Sequence, residues 1–241
     1  MIGGFIITGN IPKKVVIRAL GPSLSGFGIT DFLADPFLQL RSSNGALLKQ
    51  NDNWKDDQRT EIEATGLQPS DDRESAIVIT LVPGAYTALL TGKGGTTGVG
   101  TVEVYDANIS ADSQLANLST RGFVQTGNNV MIAGFTLGKG TNSTDIAIRG
   151  IGPSLSGSGV NPVLADPTLE LRNSNGTLLI ANDDWQSDPV AAGNLTAHGL
   201  GLSNTKESGI YTTLGPGQFT AIIAGKSGGT GIALVEIYHV Q

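Results

Sequence analysis

The chain contains two copies of one sequence module, and this duplication constrains its fold more than any other feature of its 241 residues. The segment RALGPSLSGFG at 18–28 returns as RGIGPSLSGSG at 149–159, and LADPFLQLRSSNGALLKQNDNW at 33–54 returns as LADPTLELRNSNGTLLIANDDW at 164–185. From the first arginine to the last tryptophan of these blocks, 23 of 37 aligned positions are identical without a gap. Such a repeat indicates two structural units of the same fold.

Each copy has the pattern of a small β-protein. Residues 81–106 match residues 214–239, which extends the module to roughly 110 residues, a normal size for a β-sandwich. Alternation of Val, Ile, Leu, Thr and Tyr with other residues predicts strands. The predicted strands are 13–20, 37–42, 76–81, 84–92 and 99–105 in the first copy and 144–150, 168–173, 209–214, 217–225 and 231–238 in the second.

One short helix interrupts the strands of each copy. In the second copy Asp188 is the predicted N-cap, Pro189 the first helical residue and Gly199 the residue after the end. In the first copy Asp56 or Asp57 is expected to cap a helix that ends at Gly66. The fold class predicted is therefore all-β, with two tandem β-sandwich modules of jelly-roll type, each carrying one short helix.

The copies set the domain boundaries. We expect a first repeat at 1–108, a polar linker at 109–118 and a second repeat at 119–241. MIGGFIITG at the start matches MIAGFTLGK from Met131, so the first repeat lacks a counterpart of residues 119–130. This offset predicts that the sequence is an excerpt of a longer precursor or array.

A sandwich without one strand exposes unpaired N–H and C=O groups beside an apolar groove. We expect this edge beside residues 1–9, where it would accept a strand from another chain or from residues upstream of Met1. A repeated head-to-tail contact that does not close generates a filament. The residues assigned to this assembly edge are Gly3, Phe5, Ile7, Gly122, Phe123 and Val124.

Composition excludes several classes of function. A net charge of −6 argues against a general nucleic-acid binder, because the phosphate backbone repels an acidic surface. The absence of Cys excludes disulfides, zinc-thiolate sites and cysteine nucleophiles. No apolar run is long enough to span a membrane as a helix.

The motifs that resemble catalytic ones lack their required context. GPSLSG does not have the glycine spacing of a nucleophile elbow, and no His recurs in both copies to act as a base. The glycine-rich segments 92–100 and 225–231 precede strands, whereas a phosphate-binding loop needs a helix N-terminus. Arg18, Arg149, Glu74 and Glu207 are interpreted as structural pairs, since a charge in an apolar strand needs a partner. We therefore predict a protein that is not an enzyme.

An acidic turn recurs in both copies and gives the one candidate metal site. Carboxylate and amide oxygens clustered on a loop suit Ca²⁺, which takes six to eight oxygen ligands. The alternative is that these side chains bond their own backbone, as Asx residues in turns commonly do. Ca²⁺ is thus the single cofactor considered. Its candidate ligands are Asp35, Asn51 and Asp52 in the first copy and Asp166, Asn182, Asp183 and Asp184 in the second.

The two tryptophans, Trp54 and Trp185, follow these turns at equivalent positions. One interpretation is a platform on which a sugar ring stacks. The other, which we favour, is a ring packed at the edge of the sandwich with its indole N–H hydrogen-bonded. We predict that both rings are mostly buried.

The strings LANLSTRGFVQTGNNVMIAGF, IRGIGPSL, LADPTLEL, NDDW and GTGIALVEIY resemble a tandem repeat of large secreted or surface proteins of environmental bacteria. The part from the LADP strand onward is also loosely similar to bacterial pre-peptidase C-terminal domains, small β-sandwiches attached to secreted hydrolases. These resemblances imply a non-catalytic module outside the bacterial cell or on its surface, with other repeats or copies of itself as partners. The alternative is a carbohydrate-binding accessory domain of a secreted hydrolase, with a polysaccharide as partner.

Overall fold

A computed structural model describes residues 1–108, 112–138 and 142–240. The chain divides into two compact units, Met1–Ala116 and Asn117–Gln241, and it passes from one to the other within a single strand. Strands in antiparallel pairs dominate both units, as the alternating sequence pattern predicts. The all-β sandwich class is confirmed.

Unit 1 is built from two layers of strands. One layer has the order β4-β3-β6-β1 and the other the order β5-β2-β7. The strands are β1 (Ile2–Gly9), β2 (Lys13–Leu20), β3 (Pro36–Ser42), β4 (Leu47–Asn51), β5 (Ser75–Leu81), β6 (Gly84–Gly92) and β7 (Thr101–Asp106). Apolar side chains from both layers form one core, because alternate residues of a strand point to the same face. Its largest members include Phe5, Ile17, Leu38, Leu40 and Ile77.

Unit 2 repeats this arrangement. One layer has the order β12-β11-β14-β9; in the other, β10 lies between β13 and β15, and β15 also pairs with β8. The strands are β8 (Ser113–Val124), which begins in unit 1, β9 (Met131–Leu137), β10 (Thr144–Ile151), β11 (Pro167–Asn173), β12 (Leu178–Asn182), β13 (Ser208–Leu214), β14 (Gly217–Gly225) and β15 (Gly231–Val240). Sequence alignment of the copies makes β9 the equivalent of β1 and β15 the equivalent of β7.

The helix of each unit covers the outer face of one layer. In unit 1 the helix α1 (Arg59–Thr65) contributes Ile62 to a cluster with Trp54 and Val16. In unit 2 the helix α2 (Pro189–Ala197) contributes Leu195 to a cluster with Trp185. Each unit therefore has a second apolar cluster outside the sandwich core.

The helix caps match the sequence prediction in unit 2 and differ from it in unit 1. Asp188 accepts hydrogen bonds from the N–H groups at the start of α2, and Gly199 follows its end in a left-handed conformation. The N-cap of α1 is Gln58, not Asp56 or Asp57, and its side chain makes no cap bond. The carboxylate of Asp57 instead pairs with Lys49 at 2.6 Å. Gly66 ends α1 as predicted.

The segment expected to be a linker, 109–118, contains the start of a strand. β8 begins at Ser113, and Leu115 packs against the core of unit 1. The polar composition of this segment concealed its alternating pattern, because a strand with one solvent-exposed face carries polar residues at every second position. Residues 109–111 of the predicted linker lie outside the described residues.

We expect Asp188→Ala to destabilise unit 2 by about 1 kcal/mol, the usual effect of removing a helix N-cap. Two N–H groups of α2 lose their acceptor, at 3.0 and 3.1 Å from Asp188 Oδ1. Chemical denaturation monitored by circular dichroism measures the change. The matched control is Asp57→Ala, which removes a surface ion pair and no cap, and should cost less. Equal costs for the two variants would contradict the assigned cap.

Candidate functional site

The asparagines of the acidic turns hold neighbouring backbone. The Asn51 side chain accepts from Ala76 N at 2.9 Å and donates to the carbonyl of Asn53 at 3.1 Å. Its equivalent Asn182 accepts from Gly209 N at 2.8 Å and donates to a carbonyl of its own turn at 3.2 Å. Both amides therefore fasten the turn to the adjacent strand β5 or β13, which supports the backbone-bonding alternative for these two candidate ligands.

The aspartates at the centre of the turns are paired with lysines. Lys226 Nζ lies 2.5 Å from Asp183 Oδ2, and Lys93 is hydrogen-bonded to Asp52 in the same way. The hydrogen bond to Asp183 raises the pKa of Lys226, and the bond to Asp52 raises that of Lys93. The sequence contains a signal for this pairing, because a lysine recurs at the start of the glycine-rich segment in both copies. The sequence does not show which acidic residue lies beside each lysine in the fold, so this pairing was not predicted.

Three carboxylates converge in unit 2. Oxygen atoms of Asp166, Asp183 and Asp184 lie within 4.8 Å of one another. Asp166 and Asp184 border an open recess of about 450 Å³ that Lys206 and Lys226 also line. This geometry is compatible with a divalent cation, but the lysine ammonium groups already offset the negative charge.

The corresponding site of unit 1 has fewer carboxylates. Asn53 stands at the position of Asp184 and donates to Asp56 at 2.9 Å. Asp35 is the equivalent of Asp166, and its main-chain carbonyl accepts from Lys93 N at 2.9 Å. The two copies therefore differ in the donor set that they offer to a cation.

The tryptophan rings are buried, as predicted. Trp54 is 4% exposed and Trp185 is 8% exposed. Stacking on a sugar requires an open ring face, so the structure gives no support to the stacking platform. The expected hydrogen bond of the indole is wrong, because in the described part of the chain neither Nε1 atom has a partner. The main-chain N–H of each residue donates instead, at 2.8 Å, to the carbonyl of Glu74 or Glu207.

Those two glutamates are the polar residues whose role the sequence did not reveal. Glu74 is fully buried and accepts hydrogen bonds from Gly21 N at 3.0 Å, Ser23 N at 2.9 Å and Ser23 Oγ at 2.6 Å. Glu207 accepts the two equivalent N–H bonds at 3.2 and 3.0 Å. Gly21 is required at this turn, since a Cβ there would lie 2.0 Å from the carbonyl oxygen of Leu33. GPSLSG is thus a structural turn around a carboxylate.

The strand arginines pair with glutamates on the neighbouring strand. Arg18 Nε donates to Glu103 at 2.7 Å, and Arg149 Nε lies 3.4 Å from Glu236. Both arginines have structural partners as expected, but these partners are Glu103 of β7 and Glu236 of β15 and not Glu74 and Glu207. Burial, together with the adjacent Glu236 charge, raises the pKa of Tyr238 to about 12.

The hydroxyl and imidazole groups form no nucleophile–base pair among the described residues. Ser23 donates to a buried carboxylate, and Ser25 Oγ bonds the carbonyl of Pro22 at 2.7 Å. His198 lies 3.3 Å from the hydroxyl of Tyr211 and is replaced by Thr65 in the first copy. These groups engage in local structural bonds.

The residues assigned to the assembly edge occupy two different environments. Phe5 and Ile7 of β1 point into the core of unit 1, whereas Phe123 of β8 is 52% exposed. β1 pairs with β6 on one side and has β8 as its neighbour on the other. At Gly9 this neighbour is so close that a Cβ would meet the backbone of Ser113 at 2.8 Å.

The edge beside residues 1–9 was therefore placed wrongly at its Gly9 end, where the chain itself covers it. The other assigned residues, Gly3, Gly122 and Val124, lie in the strands β1 and β8, and Val124 is fully buried. In the described part of unit 1, the strands that pair on one side alone are β4, β5 and β7, and β7 does so with β2. The offset between the copies does not indicate which strand of unit 1 lies at an edge of its layer.

No protein-family model and no curated protein matches the sequence. Among solved structures, the pre-peptidase C-terminal domain of collagenase from Bacillus anthracis is similar at 11% identity and a TM-score of 0.32, covering 51% of this chain and 89% of that one. The atomic structure of Sulfolobus Turreted Icosahedral Virus matches at 12% identity and 0.29, covering 98% and 85%. The PBCV-1 virus capsid matches at 8% and 0.23, covering 96% and 87%. All are distant, so the proposals below rest on this chain's own residues.

Calcium binding stays a prediction. If the acidic turns take Ca²⁺, millimolar Ca²⁺ should raise the melting temperature, because a ligand that binds the folded state stabilises it, and EDTA should reverse the gain. Asp52→Asn and Asp183→Asn should reduce the shift, with Asp72→Asn as a control outside the turns. Differential scanning calorimetry measures each shift. An unchanged melting temperature at saturating Ca²⁺ ends the hypothesis.

Removal of a buried tryptophan ring should be costly. We expect Trp54→Ala to lower the free energy of unfolding by about 3–5 kcal/mol, the usual range for truncating a large core side chain. Trp54→Phe should cost less, since it keeps an aromatic ring and loses an indole N–H that has no acceptor in the described structure. Urea denaturation compares the variants. Unchanged stability of Trp54→Ala, together with lost retention on polysaccharide, would instead favour sugar stacking.

Proposed function

We propose that this chain is a non-catalytic structural module of an extracellular or cell-surface array, and that it associates with further repeats of its own kind. The observation that carries the proposal is the strand β8. It begins beside β1 in unit 1 and, from Asn117 to Val124, pairs with β15 in unit 2. The segment that joins the repeats is thus also a strand of their sheets. This is expected for a module that is connected to further repeats along one chain or array.

The duplicated polar residues support this proposal. Lys93 and Lys226 neutralise aspartates of their turns, and Glu74 and Glu207 each organise a turn of the backbone. The motifs retained in both copies therefore hold the sandwich together. An active site would require titratable groups that converge on a pocket and remain free to react.

Location outside the cell is part of the proposal. It rests on the tandem modules and on the sequence resemblance to secreted and surface repeats. In the described residues, no helix is long and apolar enough to cross a membrane. The net charge of −6 disfavours nucleic acid as a partner, because phosphate groups repel an acidic surface.

The carbohydrate-binding alternative depended on the tryptophans. Both rings are packed in the outer clusters against a helix, with Ile62 beside Trp54 and Leu195 beside Trp185. Because both rings are buried, neither offers an open face on which a sugar could stack. No exposed aromatic platform in the acidic turns supports this function.

Self-association is the test of the proposed function. We expect the molar mass from light scattering to rise with protein concentration, and negative-stain electron microscopy to show linear assemblies, because a head-to-tail contact does not close. A chain that remains monomeric from micromolar to near-millimolar concentration, without linear assemblies in native preparations, contradicts the proposal. Retention on insoluble polysaccharide by a monomer would favour the carbohydrate-binding alternative.

A further inference from the structure

The strands β7 and β15 occupy equivalent positions but have different surroundings. They share the pattern TVEVY and LVEIY, and each pairs on one side with the strand that carries the half-buried arginine, Arg18 or Arg149. β15 has a second neighbour, β8, from Gly231 opposite Val124 to Tyr238 opposite Asn117. In the described part of unit 1, β7 has no such neighbour. Its outer edge therefore presents unpaired backbone groups.

Equivalent apolar side chains of β7 and β15 differ in their exposure to solvent. Val235 and Ile237 of β15 are 0% and 5% exposed, and both belong to the core of unit 2. Their equivalents Val102 and Val104 of β7 are half-buried and pack at the margin of the core of unit 1. The sequence pattern is the same, so the missing neighbour strand accounts for the exposed apolar surface.

A recess of about 330 Å³ lies beside the start of β7. Its lining includes Met1, Leu33, Leu90, Gly98 and Gly100. Sequence alignment of the copies pairs these residues with Met131, Leu164, Ile223, Gly231 and Ala233. In unit 2, Val124 is fully buried in the core cluster that contains Met131, Leu164, Ile223 and Ala233. Val124 also lies opposite Gly231 in the sheet. The recess in unit 1 thus occupies the place that Val124 fills in unit 2.

The residues after Val124 extend the correspondence. A Cβ built on Gly228 would lie 3.8 Å from the methyl group of Thr126. The equivalent of Gly228 is Gly95, which also lines the recess of unit 1. The open space therefore follows the path that the chain takes at the end of β8 and into the next turn.

We propose that the edge of β7 and this recess form an acceptor site for an extended polypeptide strand with the chemistry of β8. Residues opposite one another in an antiparallel pair share a face, so the side chains of β8 that face the core are Leu118, Thr120, Gly122 and Val124. The occupant must likewise carry small or apolar residues at alternate positions. It must place a Val-sized side chain in the recess.

The donor is a strand of another repeat in which β8 is not already paired. A second copy of this chain could deliver its own β8 only by giving up the pairing with β15 and the burial of Val124. That loss cancels the gain at β7. This inference rests on the proposed function, because it names the partner through which one repeat joins the next.

A labelled peptide of residues 115–126, LANLSTRGFVQT, tests the site on the full chain. We expect saturable binding by fluorescence polarisation. The same peptide with Val124→Asp should bind at least tenfold more weakly, because two leucines and four glycines make up most of the lining of the recess, beside Met1 and three threonines. Equal binding of the two peptides overturns the assigned register and recess.

A fusion protein carries the donor strand within the same chain. It tests the site even if the free peptide is too flexible to bind. Residues 117–130 are placed directly before Met1, in the order in which they precede Met131. We expect a higher melting temperature and loss of binding to the labelled peptide, because the site is then filled. The same fusion with Val124→Asp in the added strand should give neither effect. A fused strand that leaves both measurements unchanged overturns the proposal.

The outcomes separate this proposal from the proposed function. A chain that stays monomeric but binds the peptide keeps the acceptor site and contradicts self-association. A chain that self-associates without binding the peptide, and whose fusion is no more stable, contradicts the acceptor site and keeps the array.

Discussion

The fold of each unit depends on a buried carboxylate. Glu74 and Glu207 lie next to the start of a core strand, and a charge at such a position is costly unless donors surround it. The donors come from the GPSLSG turn, whose N–H groups point at the carboxylate. The same residue accepts, through its carbonyl, the main-chain N–H of the tryptophan. One side chain thus links a turn, a strand and the outer apolar cluster.

The two units share this internal organisation and differ in their edges. In unit 2 the strand β8 completes the layer at β15, and Val235 and Ile237 are buried as a consequence. In unit 1 the strand β7 has a neighbour on one side alone in the described structure, and its valines remain half-buried. Because the duplicated sequences are so similar, unit 2 is an internal reference for what unit 1 lacks. The comparison of the two units therefore indicates how repeats could assemble.

Several features of the fold could be predicted because they follow from local rules. Alternation gave the strands around Arg18 and Arg149, and the Asp-Pro pair at 188–189 gave the start of α2. Prediction was wrong where a side chain had two competing partners. Asp57 reads as a helix cap, yet Lys49 lies within reach across the fold. No pairing was predicted for the lysines of the glycine-rich segments, yet folding places them beside Asp52 and Asp183.

The sequence alone determined the duplication and the β class, since these depend on repeats and on periodic apolar residues. It favoured buried tryptophans but left a sugar platform open as the alternative. The tertiary structure decided which edge is unpaired. The open edge expected beside β1 was wrong near Gly9, where the chain's own Ser113 lies. The physical reason is that strand order in a sheet is set by contacts between residues far apart in sequence. Spacing along the chain does not encode which neighbour a given edge receives.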